Sequence, residues 1–285
     1  MTQQAAGKLW VGATPIGNLE DLAPRAQAVL RAVDLIAAED TRHSAALLRH
    51  FGIATRCVAL HEHNEREASA DLVRRMHAGA QIALISDAGT PLVSDPGFRL
   101  VRAARAAGII VSPLPGPCAA IAALSVAGLA SDRFVFEGFL PAKSTARRAH
   151  LQALCGETRT LIFYESSHRV AESLVDMAQV LGGERVAVLA RELTKLFETV
   201  LDGTLAELAA RVASDPNQRR GEFVLLVTGT TDAADAACVA EGRRVFELLR
   251  SELPPSRAAK LAAEITGASR KLLYASKSAA ATDEE

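Results

Sequence analysis

Cysteine is scarce and scattered. Cys57, Cys118, Cys155 and Cys238 are the four in 285 residues, and no two form a C-x-x-C pair. That spacing argues against a structural zinc site and against a disulfide framework. An excess of either charge is also missing. The 32 basic and 33 acidic residues give a formal net charge of −1, so bulk charge points to neither nucleic acid nor a membrane surface. The longest apolar run, Cys118 to Ala130, is interrupted by Ser125 and Gly128 and falls short of the ~20 residues that cross a bilayer. The opening M-T-Q-Q-A-A-G-K-L-W lacks the basic and then apolar pattern of a secretory signal. A reducing cytoplasm is the expected location, with no membrane partner. Disorder over most of the chain is excluded by 49% hydrophobic residues with balanced charge. At ~100–200 residues per domain, the length predicts about two domains.

Familiar catalytic signatures are missing too. Gly12 to Gly17 has the spacing of a phosphate loop, but Asn18-Leu19 stands where Lys and Ser or Thr belong. No G-x-G-x-x-G follows a strand, and no serine sits in G-x-S-x-G. His61 and His63 with Glu62 and Glu65 imitate a metal cluster. No second compact His/Cys group accompanies them, and no metal is expected.

What the chain does have is alternation. Apolar runs at Lys8–Ala13, Leu35–Ala38, Cys57–His61, Gln81–Ser86 and Ile109–Ser112 read as strands covered on both faces. Helical patterns separate them, among them Leu22–Val33 capped by Asp21 and a longer one from Asn64 to Ala78 that stops at Gly79. This is an α/β pattern with a largely parallel sheet. Leu114-Pro115-Gly116-Pro117 interrupts it. An Ala-rich helix follows, and then a second strand series at Arg133–Gly138, Thr160–Glu165, Val186–Arg191, Phe197–Asp202 and Glu222–Thr228. The short link between Val186–Arg191 and Phe197–Asp202 predicts a partly antiparallel sheet. The expected division is 1–115 and 116–230 as two tandem α/β domains, with 236–285 a small helical appendage. Within that appendage, Val239–Ser278 carries eight Lys or Arg against four Glu.

Ligands of open α/β sheets bind beyond the carboxyl ends of the strands. The densest such segment is I-S-D-A-G-T-P-L-V-S-D-P-G, Ile85 to Gly97. Ala88 and Gly89 permit close backbone approach there, and Asp87 can accept hydrogen bonds. Asp95 with Pro96 reads as a helix start. Glu39-Asp40-Thr41-Arg42 ends the second strand and reads equally well as a solvated turn. Phe163–Arg169 and Ala190–Lys195 end strands of the second series and could supply a facing wall.

Taken in order, T-P-I-G-N-L-E-D (14–21), A-E-D-T-R (38–42), D-A-G-T-P-L-V-S-D-P-G (87–97), P-G-P (115–117), F-Y-E-S-S-H-R (163–169), R-E-L-T-K (191–195) and G-E-F-V (221–224) resemble a known family. It is the bacterial 16S rRNA cytidine 2′-O-ribose methyltransferases of the tetrapyrrole-methylase superfamily. The tail 254–274 is similar to that family's helix-turn-helix. The resemblance implies S-adenosylmethionine in a cleft between two α/β domains, a homodimer, and the 2′-hydroxyl of cytidine 1402 in the 30S subunit as target. It assigns cofactor contacts, mostly through backbone atoms, to Pro15, Asp87, Ala88, Gly89 and Thr90. Further contacts fall on Pro115, Gly116, Pro117, Cys118 and Ala119, and on Tyr164, Ala190, Arg191 and Glu192.

For a proton acceptor, motif and strand-end position nominate Lys195 (if neutral), Glu192, Glu39 and Asp40, and the sequence does not choose among them. Phosphate contacts are expected from Lys143, Arg147 and Arg148, whose segment 141–150 has no acid, and from Arg257, Lys260, Arg270 and Lys271 in the tail. The alternatives are a tetrapyrrole C-methyltransferase and a non-catalytic ribosome-binding protein.

Overall fold

The computed structural model describes residues 7–61, 63–230, 241–242 and 244–267. The first five strands are β1 (Lys8–Gly12), β2 (Leu35–Ala38), β3 (Cys57–Ala59), β4 (Gln81–Ile85) and β5 (Ile110–Leu114). They form one parallel sheet in the order β3-β2-β4-β1-β5. Central strands bury both faces, so all four residues of β2 are buried. Because β1 and β4 are neighbours, the loops that leave their carboxyl ends emerge side by side.

Helices α1 (Pro24–Ala32), α2 (Thr41–His50), α3 (Glu65–His77) and α4 (Phe98–Ala106) cover this sheet. Leu30 and Leu48 pack with Ile36 and Ile85, while Leu72, Met76 and Leu100 pack with Leu9 and Leu84. Asp21 does not cap α1. It lies in a short 3-10 turn, Leu19–Asp21, and Ala23 precedes Pro24 at the helix start. Proline needs no partner for a missing N–H, so its ring begins the helix without a side-chain cap.

The second sheet holds β6 (Phe134–Phe139), β7 (Thr160–Ser166), β8 (Val186–Arg191), β9 (Thr199–Thr204) and β10 (Glu222–Val227) in the order β6-β7-β10-β8-β9. β6 and β7 are parallel and the other pairs antiparallel, as the short β8–β9 link requires. Among the described residues, one face carries only α5 (Ala119–Val126), whose Ala120 and Ala123 sit on Ile162, Val188 and Val224. Small side chains let that helix lie close to the strands. Helices α6 (Ser144–Ala153), α7 (Val170–Leu181) and α8 (Leu205–Ser214) cover the other face with Leu151, Leu174 and Leu208.

Two further helices follow, α9 (244–250) and α10 (Pro255–Thr266), packed through Phe246, Ala258, Ala259 and Ala262. Among the described residues no helix is long and apolar enough to cross a membrane.

Candidate active site

The loop after β1 and the loop after β4 are stitched together. Thr14 N–H donates to the Gly89 carbonyl at 2.9 Å, and Gly89 N–H returns a bond to Thr14 at 3.1 Å. The buried Thr14 hydroxyl donates to the Ser86 carbonyl at 3.1 Å. Thr90 then reaches across to the P-G-P segment, its hydroxyl donating to the Pro117 carbonyl at 2.8 Å. The far end of the loop is held from α3: the buried Glu65 carboxylate accepts from Gly97 N–H at 3.0 Å and Arg99 N–H at 2.7 Å. Glu65 therefore supplies the cap of α4, the role that the sequence pattern gives to Asp95, and Asp95 lines the cleft instead.

The segments R-E-L-T-K and G-E-F-V interlock in the second half. Gly221 has φ +98°, and a Cβ there would collide with the Glu192 side chain, so glycine is what lets Glu192 lie across it. Glu192 Oε1 accepts from Lys195 Nζ at 2.8 Å and from Glu222 N–H at 3.0 Å, and Lys195 Nζ also meets Glu222 Oε2 at 2.6 Å. Burial alone would lower the Lys195 pKa, but its bonds to Glu192 and Glu222 outweigh that and hold the ammonium above the ordinary lysine range. Burial likewise favours a neutral Glu192, and Lys195 and the Glu222 N–H reverse the direction, leaving it charged.

Between these two systems lies a cleft of about 340 Å³. One wall is Ile16, Ala88, Gly89, Thr90, Val93, Ser94 and Asp95; the other includes Ala119, Phe139, Tyr164, Ala190, Glu192 and Lys195. Two glycines let the walls meet at its edges, Gly17 against Leu193–Lys195 and Gly138 against Ser94 Oγ. The described non-glycine residues with positive φ also gather here: Leu92 (75°), Ser94 (67°), Glu192 (50°) and Thr194 (65°). Left-handed backbone at such residues costs ~1–3 kcal/mol each and collects where a site needs it.

The expected cofactor residues divide. Ala88, Gly89, Thr90, Ala119, Tyr164, Ala190 and Glu192 line the cleft. Pro15, Pro115, Gly116, Pro117, Cys118 and Asp87 are not part of its lining, and Asp87 accepts from the Asp40 N–H at 3.1 Å. The Arg191 side chain turns away from the cleft to the carbonyls of Arg220 (2.7 Å) and Phe197 (3.1 Å). Tyr164 OH accepts from Ala120 N–H at 3.1 Å, and burial pushes its phenol further toward the neutral form.

Three of the four expected proton acceptors are corrected. Lys195 is not neutral, for the reason above. Asp40 caps α2 through Arg42 N–H at 2.8 Å and grips the Arg42 guanidinium at 3.1 Å, which takes its carboxyl down to about 2. Glu39, raised by burial and by the charge of Asp87, lies off the cleft wall. Glu192 lines the cleft but is engaged by Lys195 and Glu222.

The basic segment 141–150 is also corrected. Arg147 is 1% exposed and Arg148 half-exposed, and both bond Asp176 of α7 at 2.6 Å. The acid absent from the segment arrives from the next helix. Of the three expected phosphate contacts there, Lys143 alone is exposed with no acidic partner among the described residues. In the tail, Arg257 and Lys260 are exposed on α10, with Lys260 near Glu264 at 3.8 Å. Arg270 and Lys271 lie outside the described residues.

Sequence pattern alone misses Asp95, Val93, Ser94, Ile16 and Phe139 as cleft residues. The signal available for Asp95 is Pro96-Gly97: a glycine two positions on can itself begin the helix, and Gly97 does, at φ +121°. Among the described residues no group of three or more His, Cys, Asp or Glu is placed to hold a metal ion.

The Tetrapyrrole (Corrin/Porphyrin) Methylases family profile matches residues 8–209, and the RsmI C-terminal HTH domain profile matches residues 236–276. A curated protein of Xylella fastidiosa named ribosomal RNA small subunit methyltransferase I is 64% identical over 94% of this chain and 98% of its own. Its namesake in Pseudomonas aeruginosa is 61% identical over 95% of this chain and 96% of its own. Among solved structures, uroporphyrin-III-C-methyltransferase from Thermus thermophilus aligns with a TM-score of 0.52 at 20% identity, covering 78% of this chain and 94% of that one. Diphthine synthase aligns with a TM-score of 0.57 at 16% identity, covering 78% and 90%. These two show the fold alone. With two α/β sheets around one cleft, a matching helix-turn-helix profile and relatives this close over nearly their whole length, the chain belongs to the ribosomal RNA small subunit methyltransferase I family of the tetrapyrrole methylases.

Proposed function

We propose that this protein transfers a methyl group from S-adenosylmethionine to the 2′-hydroxyl of cytidine 1402 in 16S rRNA, acting on the 30S subunit in the cytoplasm. The observation that carries the reading is the cleft. Its 340 Å³ falls within the ~300–1,000 Å³ of small-molecule sites. Its walls pair apolar surface for a nucleobase (Ile16, Val93, Leu193) with small residues at Ala88, Gly89, Ala119 and Ala190 where backbone can be approached closely. Of the lining carboxylates, Glu192 and Glu222 are paired with Lys195 and the buried Glu165 with Arg169. The size of the cleft and its apolar, small-residue walls fit S-adenosylmethionine.

Bound there, the cofactor supplies a methyl group already activated on a sulfonium. The chain's own task is alignment: the stitched 14–17 and 87–90 loops hold one wall and the Glu192–Lys195–Glu222 unit the other, so that a ribose hydroxyl is delivered in line. The proposed units are 1–115 and 116–230, one for each sheet. The segment 239–278, with eight Lys or Arg against four Glu, and Lys143 supply local positive charge for RNA, since charges farther apart than ~8–10 Å are screened. The working form is a homodimer. Leu196 and Phe197, 90% and 66% exposed beside edge strand β9, offer apolar surface for it, and light scattering at micromolar concentration should give twice the chain mass.

A tetrapyrrole C-methyltransferase is the rival that the fold favours. Labelled S-adenosylmethionine offered with 30S subunits or with uroporphyrinogen III separates the two. Label should enter RNA, and label entering the tetrapyrrole would refute the proposal.

A further inference from the structure

A ribose hydroxyl is a weak nucleophile, and a positioned base typically contributes ~10²–10⁴-fold. The residues nominated by motif are all otherwise engaged or misplaced: Lys195 between two carboxylates, Glu192 beneath Lys195, Asp40 on Arg42, and Glu39 off the wall. Asp95 differs from each of them. It lines the cleft, it is half-buried, and among the described residues no Lys, Arg or His pairs with it.

The backbone is bent to put it there. Leu92 and Ser94 both take left-handed conformations, Glu65 fixes the chain two residues beyond at Gly97, and Gly138 of β6 leaves room for Ser94. A carboxylate that only began a helix would need none of these restraints. α4 already has its cap in Glu65.

Resting on the function proposed above, we propose that Asp95 is the catalytic proton acceptor of the methyl transfer. Asp95 takes the 2′-hydroxyl proton as the oxygen–methyl bond forms and the methyl–sulfur bond breaks. The bonding pair stays on sulfur, which leaves as a neutral thioether, and the carboxylate ends as a neutral acid. Charge balances, because one cation and one anion become two neutral groups.

The surroundings suit the task. Burial, the charge of Glu39 at the end of β2 and that of Asp87 at the end of β4 push the Asp95 carboxyl up to about 6, partly offset by the Ser86 hydroxyl. Tyr164 faces it from β7 with its phenol neutral. Such a group is mostly ionised at neutral pH and more basic than an ordinary carboxylate, which is what proton abstraction favours.

The test compares wild type, Asp95→Asn and Asp95→Glu in the full chain. Three readouts are taken: S-adenosylhomocysteine affinity by calorimetry, single-turnover methylation of 30S subunits from pH 5 to 9, and carboxyl ¹³C NMR of aspartate-labelled protein. Asp95→Asn should bind S-adenosylhomocysteine within threefold of wild type, yet methylate at least 100-fold more slowly. The wild-type rate should rise with pH up to about 6 and then level, matching a carboxyl resonance that titrates in the same range and is missing from Asp95→Asn. Asp95→Glu should recover part of the rate and keep an acid limb. Methylation by Asp95→Asn within threefold of wild type would overturn the assignment. So would a rate loss matched by an equal loss of affinity, which would make Asp95 a binding residue. Failure of the wild type itself to methylate 30S subunits would instead refute the function on which the assignment rests.

Discussion

Replacing Gly17 with alanine adds one methyl group at the point where the two walls of the cleft touch. An ideal Cβ there would stand 2.7 Å from Thr194 Oγ1 and 2.9 Å from the Leu193 carbonyl oxygen, and would overlap Lys195 Cγ. Ordinary contacts between heavy atoms lie near ~3.5–4.0 Å, so something must move by most of an ångström. The loop has little freedom to yield, because Lys195 is tied at its tip to Glu192 and Glu222 and Thr194 is already left-handed. Overpacking of this kind costs ~1–3 kcal/mol. The contact joins the walls rather than the interior of either sheet, so the cost should appear in ligand affinity. The same 1–3 kcal/mol corresponds to a loss of about 5- to 150-fold. Calorimetric titration with S-adenosylhomocysteine, alongside a thermal melt, reads both quantities. Affinity within twofold of wild type in a folded Gly17→Ala protein would show that these two loops do not jointly form the ligand site.

Gly89→Val should lower S-adenosylhomocysteine affinity tenfold or more, because φ is +78° and the new Cβ meets Ile16 Cγ2 at 3.3 Å; the same titration checks it. Arg147→Ala should cost about 3 kcal/mol in a urea melt, since it removes a buried partner of Asp176. Burial would raise the Asp176 pKa, but Arg148, Arg147 and Ser144 bring it below the ordinary range. Its contribution is therefore present above the unfolded pKa of ~3.9 and is lost as pH falls through the lower folded value. Urea melts between pH 2 and 6 should accordingly show an acid loss that Arg147→Ala reduces. Deleting 236–285 should weaken 30S binding and flatten its log–log salt dependence by about 0.7–0.9 for each phosphate no longer neutralised. Cofactor binding should survive that deletion, and filter binding across a salt series measures the effect.

The fold is largely legible in the sequence because its strands are buried on both faces. Leu35–Ala38 and Val186–Arg191 occur with the expected bounds, where continuous apolar runs leave no other reading. β9 begins at Thr199 and not at Phe197, because Leu196 and Phe197 are apolar yet exposed, and periodicity cannot distinguish a surface apolar pair from a strand. The start of α2 reads as a turn. Its apolar stripe is short, with Ser44 and Leu48 the buried positions, and its first turn is polar.

The location of the site is legible through Ile85–Gly97 and the strand-end rule, whereas the roles of its charged groups are not. Arg147 reads as a phosphate ligand until α7 brings Asp176 against it. Lys195 reads as a possible base until β10 brings Glu222 beside it. Asp95 reads as a helix cap until α3 supplies Glu65 instead. In each case the deciding partner is far away in the chain, and local pattern carries no information about it.

Ribose methylation of one nucleotide in small-subunit RNA can be read out on the RNA itself. The most direct measurement incubates 30S subunits lacking the modification with this protein and S-adenosylmethionine, then maps 2′-O-methylation along the whole 16S rRNA, with a no-protein control. One new 2′-O-methyl group should appear, at cytidine 1402, and only with the protein. A methyl group on a base, at another nucleotide, or on none of the RNA would contradict it.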